Sequence, residues 1–175
     1  MSTSTDPLTA LAQHRLVPVI ALQEAAQAAP LADALVAGGL PVAEVTFRTA
    51  AAAASIKIMA ERGDMIVGAG TVLSIDQAKQ AQDAGATFVI SPGISADVVE
   101  ACQKMDLPIY PGVATPTDIQ LALSLGLDTV KFFPAEAFGG LKSLKAIAAP
   151  YGMLKFIPTG GISPANVLDL SLIHI

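Results

Sequence analysis

The chain has a single cysteine, Cys102, in 175 residues. No intrachain disulfide can form, and a reducing cytoplasm is the expected compartment. Histidine is almost as scarce, with His14 and His174 near opposite ends. With only one cysteine besides, these offer no zinc-binding pattern, and metal catalysis is not expected. Charged residues make up 14% and the net charge is -5. No basic cluster or aromatic-basic interleaving is present, which argues against a nucleic-acid partner. No uninterrupted apolar run reaches the roughly 18 residues of a membrane span. The segment Met1–Asp6 lacks a positive stretch followed by an apolar core, so it does not read as a secretion signal.

Apolar residues are plentiful, at 53%. The length suits one domain, 1–175, with a substantial core. Such a composition fits strands covered on both faces, as in a parallel sheet. Seven short apolar segments read as strands: Leu16–Ile20, Ala43–Phe47, Met65–Ala69, Thr87–Ser91, Pro108–Tyr110, Thr129–Phe133 and Leu154–Ile157. They recur about 20 to 25 residues apart, with helical patterns between them, as in successive strand–helix units.

The helical segments carry their own signals. Ser74 and Gln77 have capping-box spacing, and Thr115-Pro116 and Ser163-Pro164 set a hydroxyl before a proline at a helix start. Gly38-Gly39, Gly85 and Gly126 follow helical runs where a left-handed residue ends the helix. Small, polar or proline residues recur after most strands. That favours a closed (β/α) TIM barrel, whose site is built from those loops, over an open sheet with one switch point. Eight units ordinarily need at least about 200 residues, so an eighth strand and final helix are expected to be missing.

Within the apolar run Thr129–Phe133, Lys131 stands out. Burial disfavours an ammonium, and a lysine losing its proton below the usual value of about 10.4 can attack a carbonyl to form a Schiff base. The alternative is a strand-end lysine with a buried stem and a solvated head. Lys155 is the competing nucleophile, but it begins its strand, at the end away from the active-site loops of a barrel. Lys57, Lys79, Lys104, Lys142 and Lys145 fall in helical patterns and are expected to be solvated.

Glu44, Thr46 and Arg48 recur at period two, which puts them on one face of a strand. There Glu44 could move protons while Arg48 binds a carboxylate; a buried Glu–Arg ion pair is the other reading. Thr159-Gly160-Gly161 follows a strand and precedes a helix start, where backbone N–H groups could cradle phosphate or simply make a turn. Thr71 and Pro92 end strands and can be structural or line the same mouth.

Taken together, Glu44-Val-Thr-Phe-Arg-Thr49, Gly68-Ala-Gly-Thr71, Ser91-Pro-Gly93, Lys131-Phe-Phe-Pro-Ala-Glu136 and Pro158-Thr-Gly-Gly-Ile162 resemble one family. It is the 2-keto-3-deoxy-6-phosphogluconate aldolase / 4-hydroxy-2-oxoglutarate aldolase family, and the likeness runs from about Leu16 to Leu170. The resemblance implies a metal-independent, cofactor-free class I aldolase on a TIM barrel, usually a homotrimer. Its substrate would be a phosphorylated keto-deoxy sugar acid of the Entner–Doudoroff route. It further implies Lys131 as Schiff-base nucleophile and Glu44 as general acid/base. Arg48 and Thr71 would hold the pyruvate carboxylate, and Phe133 and Pro92 would shape the pocket. Gly160 and Gly161 would bind phosphate, with Thr159 beside the pyruvate end.

The last residues, 171–175, do not resemble the family and read as a non-native tail on a truncated frame. Two other functions remain open on sequence alone: another phosphate-binding barrel enzyme, or a catalytically silent fragment.

Overall fold

The computed structural model describes residues 7–168, in which helices and strands alternate. A first helix, α1 (Pro7–His14), precedes β1 (Val19–Ile20). A 3-10 turn (Ala25–Gln27) leads into α2 (Ala28–Ala37), followed by β2 (Val42–Thr46), α3 (Ala52–Ala60) and β3 (Ile66–Gly70). Next come α4 (Ile75–Asp83), β4 (Phe88–Ile90), α5 (Ala96–Lys104), β5 (Ile109–Tyr110) and β6 (Gly112–Val113). The series continues with α6 (Pro116–Ser124), β7 (Thr129–Phe132), α7 (Gly140–Ala148) and β8 (Lys155–Pro158).

Each expected strand is present, with its ends shifted by a few residues. β6 was not expected: it follows the fifth expected strand after Pro111, which has no N–H for the ladder. Among the described residues no strand follows β8, and the expected foreign tail at 171–175 lies outside them. No helix among the described residues is long and apolar enough to cross a membrane.

One sheet has the order β1-β2-β3-β4-β5 and a second the order β6-β7-β8. The pairings β1–β2, β2–β3, β3–β4, β6–β7 and β7–β8 are parallel. Every residue of β2, β4 and β7 is buried, which explains why these strands read as continuous runs rather than alternating ones.

The chain forms two compact units, one holding residues up to Ile90 with Ala101–Ile109, the other Ser91–Glu100 with the chain from Tyr110 onward. In the first, α3 packs on β2 and β3, and Val42, Val45, Ile56, Met59, Val67 and Phe88 are fully buried or nearly so. The Phe88 ring occupies the space a side chain at Gly68 would need. The second is centred on Val113, Ile119, Val130, Phe132, Leu144 and Phe156.

The helix ends follow the chemistry of their caps. Thr115 Oγ1 accepts from Asp118 N at 3.3 Å, while Asp118 Oδ2 accepts from Thr115 N at 2.9 Å and Ala114 N at 3.0 Å. Burial opposes ionisation of Asp118, but these donors outweigh it and hold the carboxyl below the usual value. Ser74 Oγ accepts from Gln77 N at 3.2 Å, and Gln77 Oε1 accepts from Leu73 N at 2.7 Å, so two backbone donors are satisfied. Gly39, Gly85 and Gly126 have φ of 77°, 88° and 74°, as a left-handed helix end requires, whereas Gly38 stays right-handed.

Candidate active site

Lys131 lies in β7, in register with Gly112 of β6 and Ile157 of β8. It is 4% exposed, whereas Lys57, Lys79, Lys104, Lys142, Lys145 and Lys155 are all exposed. Of seven lysines, this one alone is withdrawn from water. Its Nζ atom lies 4.7 Å from the centroid of the Phe133 ring. Phe133 stands just past the strand, its N–H still paired to Val113 O at 3.2 Å.

The chain beyond β7 ties Lys131's strand to the Thr159–Gly161 turn. Thr159 N donates to Phe132 O at 3.0 Å, Ala135 N to Thr159 O at 2.7 Å, and Glu136 N to Gly160 O at 3.1 Å. Gly160 and Gly161 have φ of 97° and 75°, a conformation glycine adopts without strain. A Cβ at Gly161 would also collide with the Glu136 side chain. The N–H groups of Gly160 and Gly161 donate to no acceptor among the described residues, and adjacent amides in such a turn form an anion-binding concavity.

Pro92 sits in a turn closed by Ser91 Oγ, which donates to Gly93 O at 2.7 Å. The Pro92 carbonyl fills the space of a side chain at position 112, so Gly112, opposite Lys131 in the ladder, has to be glycine.

In the other unit, Glu44 is 2% exposed on β2, paired in register with Gly68 of β3. Its carboxylate lies where a side chain at Gly70 would be, so glycine at 70 makes room for it. Thr46 on the same strand is also buried, and its Oγ1 donates to Ile20 O at 2.9 Å.

Arg48 differs from the expectation of a strand face shared with Glu44 and Thr46. The strand ends at Thr46, because Phe47 N makes the last ladder bond to Gly70 O at 2.8 Å and the chain then turns, with Thr49 Oγ1 donating to Leu22 O at 2.6 Å. Arg48 is therefore an exposed turn residue. Its Nε donates to Thr71 Oγ1 at 3.2 Å, and it forms no ion pair among the described residues. The buried Glu–Arg pair is thus not made, which leaves the terminal guanidinium nitrogens able to grip a carboxylate.

Thr71 has φ of 55°. A β-branched residue in the left-handed region costs on the order of 1–3 kcal/mol, the kind of strain that gathers at functional sites. Glu44, Arg48 and Thr71 thus fall together in one unit, and Lys131, Phe133, Pro92 and the Thr159–Gly161 turn in the other. Gly70 and Gly112 were given no role from sequence. Both lie just past the strands expected from sequence, Gly70 ending β3 and Gly112 beginning β6, where a glycine can mark a close approach.

Parallel strands alternating with helices, one buried lysine and a glycine turn fit for an anion describe a TIM-like α/β enzyme. The model of the KDPG and KHG aldolase family matches residues 9–173. The 2-dehydro-3-deoxy-phosphogluconate aldolase of Haemophilus influenzae is 46% identical over 168 residues, covering 95% of this chain and 79% of that protein. The 2-keto-3-deoxy-6-phosphogluconate aldolase of Zymomonas mobilis, solved with 3-phosphoglycerate, superposes with a TM-score of 0.90 at 45% identity, over 94% of this chain and 79% of that one. The KDPG aldolase of Legionella pneumophila, with pyruvate captured as a covalent carbinolamine, gives a TM-score of 0.91 at 40% identity, over 97% and 82%. This chain belongs to the KDPG and KHG aldolase family, which are lyases.

Proposed function

We propose that the chain cleaves 2-keto-3-deoxy-6-phosphogluconate to pyruvate and glyceraldehyde 3-phosphate. The observation that carries this is Lys131, the one buried lysine of seven, in a chain of this family. Its amine adds to the C2 ketone and water leaves, giving an iminium. Glu44 takes the C4-hydroxyl proton, and the electrons of the C3–C4 bond flow into the iminium. Glyceraldehyde 3-phosphate departs, the enamine is protonated at C3, and water hydrolyses the iminium to pyruvate and free lysine.

The remaining roles are those that the family likeness implies for these positions. Arg48, linked to Thr71, binds the pyruvate carboxylate. Phe133 and Pro92 shape the pocket, Thr159 lies beside the pyruvate end, and the Gly160 and Gly161 amides hold the phosphate. The same chemistry would split 4-hydroxy-2-oxoglutarate to pyruvate and glyoxylate. We also infer a cytoplasmic homotrimer, the assembly that the family likeness implies.

A coupled assay of pyruvate release from the phosphorylated sugar acid tests the reading. Turnover by the native chain, lost in Lys131→Ala, is expected; a folded chain that releases no pyruvate would overturn it.

A further inference from the structure

Asn166 uses both ends of its carboxamide. Oδ1 accepts from Ser163 N at 2.7 Å, and Nδ2 donates to Gly161 O at 3.0 Å. The two contacts need opposite polarities, so the amide fits in one orientation only. Half of this arrangement is ordinary, since a side chain three residues into a helix start commonly caps the backbone N–H behind it. The bond to Gly161 O is not explained by capping.

A trans peptide places its N–H opposite its C=O, so fixing the carbonyl aims the amide the other way. Three consecutive peptides in the turn are fixed in this manner. Thr159 O takes the N–H of Ala135, Gly160 O takes that of Glu136, and Gly161 O takes Asn166 Nδ2. The amides they aim belong to Gly160, Gly161 and Ile162, and none of the three has an acceptor among the described residues. Two of the tethers come from backbone. The third is the only one that depends on a side chain.

We propose that Asn166 is a positioning residue for phosphate binding: by holding Gly161 O it aims the Ile162 N–H as a third donor to the substrate's phosphate. This rests on the function proposed above, with Gly160 and Gly161 as phosphate donors.

The test compares the native chain with Asn166→Ala and Asn166→Asp. Aspartate keeps an acceptor for Ser163 N–H but has no donor for Gly161 O; alanine lacks both. Each protein is assayed for KM and kcat with the phosphorylated sugar acid, and for borohydride trapping of pyruvate, which carries no phosphate. Both variants should trap pyruvate at native rates while KM for the phosphorylated substrate rises about tenfold, the scale of one lost charge-assisted hydrogen bond. A native KM in Asn166→Asp would reduce the residue to a helix cap. A rise in Asn166→Asp alone would show charge repulsion, and an equal loss of trapping in both would show a general structural role; each overturns the proposal. A native chain that fails to trap pyruvate would instead overturn the aldolase reading, and this inference with it.

Discussion

The Lys131 amine lies over the face of the Phe133 ring, 4.7 Å from its centroid. The two residues are two apart in sequence, and the ring belongs to the same chain segment that leads into the tethered turn. An aromatic face stabilises a cation by about 0.5–2 kcal/mol when water is excluded. The protonated Schiff base proposed for Lys131 is such a cation. Phe133→Leu keeps most of the apolar volume and removes the ring, so adduct formation with pyruvate should slow about 3- to 30-fold with little change in Tm. Stopped-flow or quench trapping reads the rate directly.

Gly70→Ala tests the space that Glu44 occupies. The added methyl meets the Glu44 carboxylate, and a side chain forced into a packed site typically costs about 1–3 kcal/mol. The carboxylate should move, so proton exchange at the pyruvate methyl group should fall while Lys131 still traps pyruvate. Deuterium uptake followed by NMR separates the two steps.

Ser55 presents the opposite case. Its side chain is fully buried in α3 and its hydroxyl has no hydrogen-bond partner among the described residues. An unsatisfied buried hydroxyl is costly, and alanine is the better helix former. Ser55→Ala should raise stability by about 1 kcal/mol, seen as a higher urea midpoint with an unchanged slope.

Cys102 supplies a pH dependence. Burial raises its thiol from 9.0 to about 11. Between those values the unfolded chain has released the proton and the folded chain has kept it, so stability falls as pH rises from about 9 toward 11. Cys102→Ala should lose that part of the slope while retaining the contribution of other groups, as urea titrations across this range would show.

The strand positions, the Ser74 and Thr115 caps and the glycine helix ends were legible because they rest on local rules: apolar runs between breakers, a hydroxyl at a helix start, glycine at a left-handed helix end. Lys131 was legible for a related reason, as a charge inside an apolar run. Arg48 was misplaced because strand periodicity gives no warning of where a ladder stops; the last bond here runs from Phe47 N to Gly70 O, on a neighbouring strand. The roles of Gly70 and Gly112 were hidden because each depends on an atom distant in sequence, the Glu44 carboxylate or the Pro92 carbonyl. Thr71's left-handed backbone was equally hidden, since a β-branched residue is a poor candidate for that conformation.

The central claim is that Lys131 forms the covalent bond to substrate. Borohydride reduction in the presence of pyruvate, with the modified peptide mapped by mass spectrometry, tests it most directly. The account predicts a pyruvyl adduct on Lys131 alone, absent in Lys131→Ala and retained in Lys155→Ala. An adduct on Lys155, or a folded protein left unmodified, would contradict it.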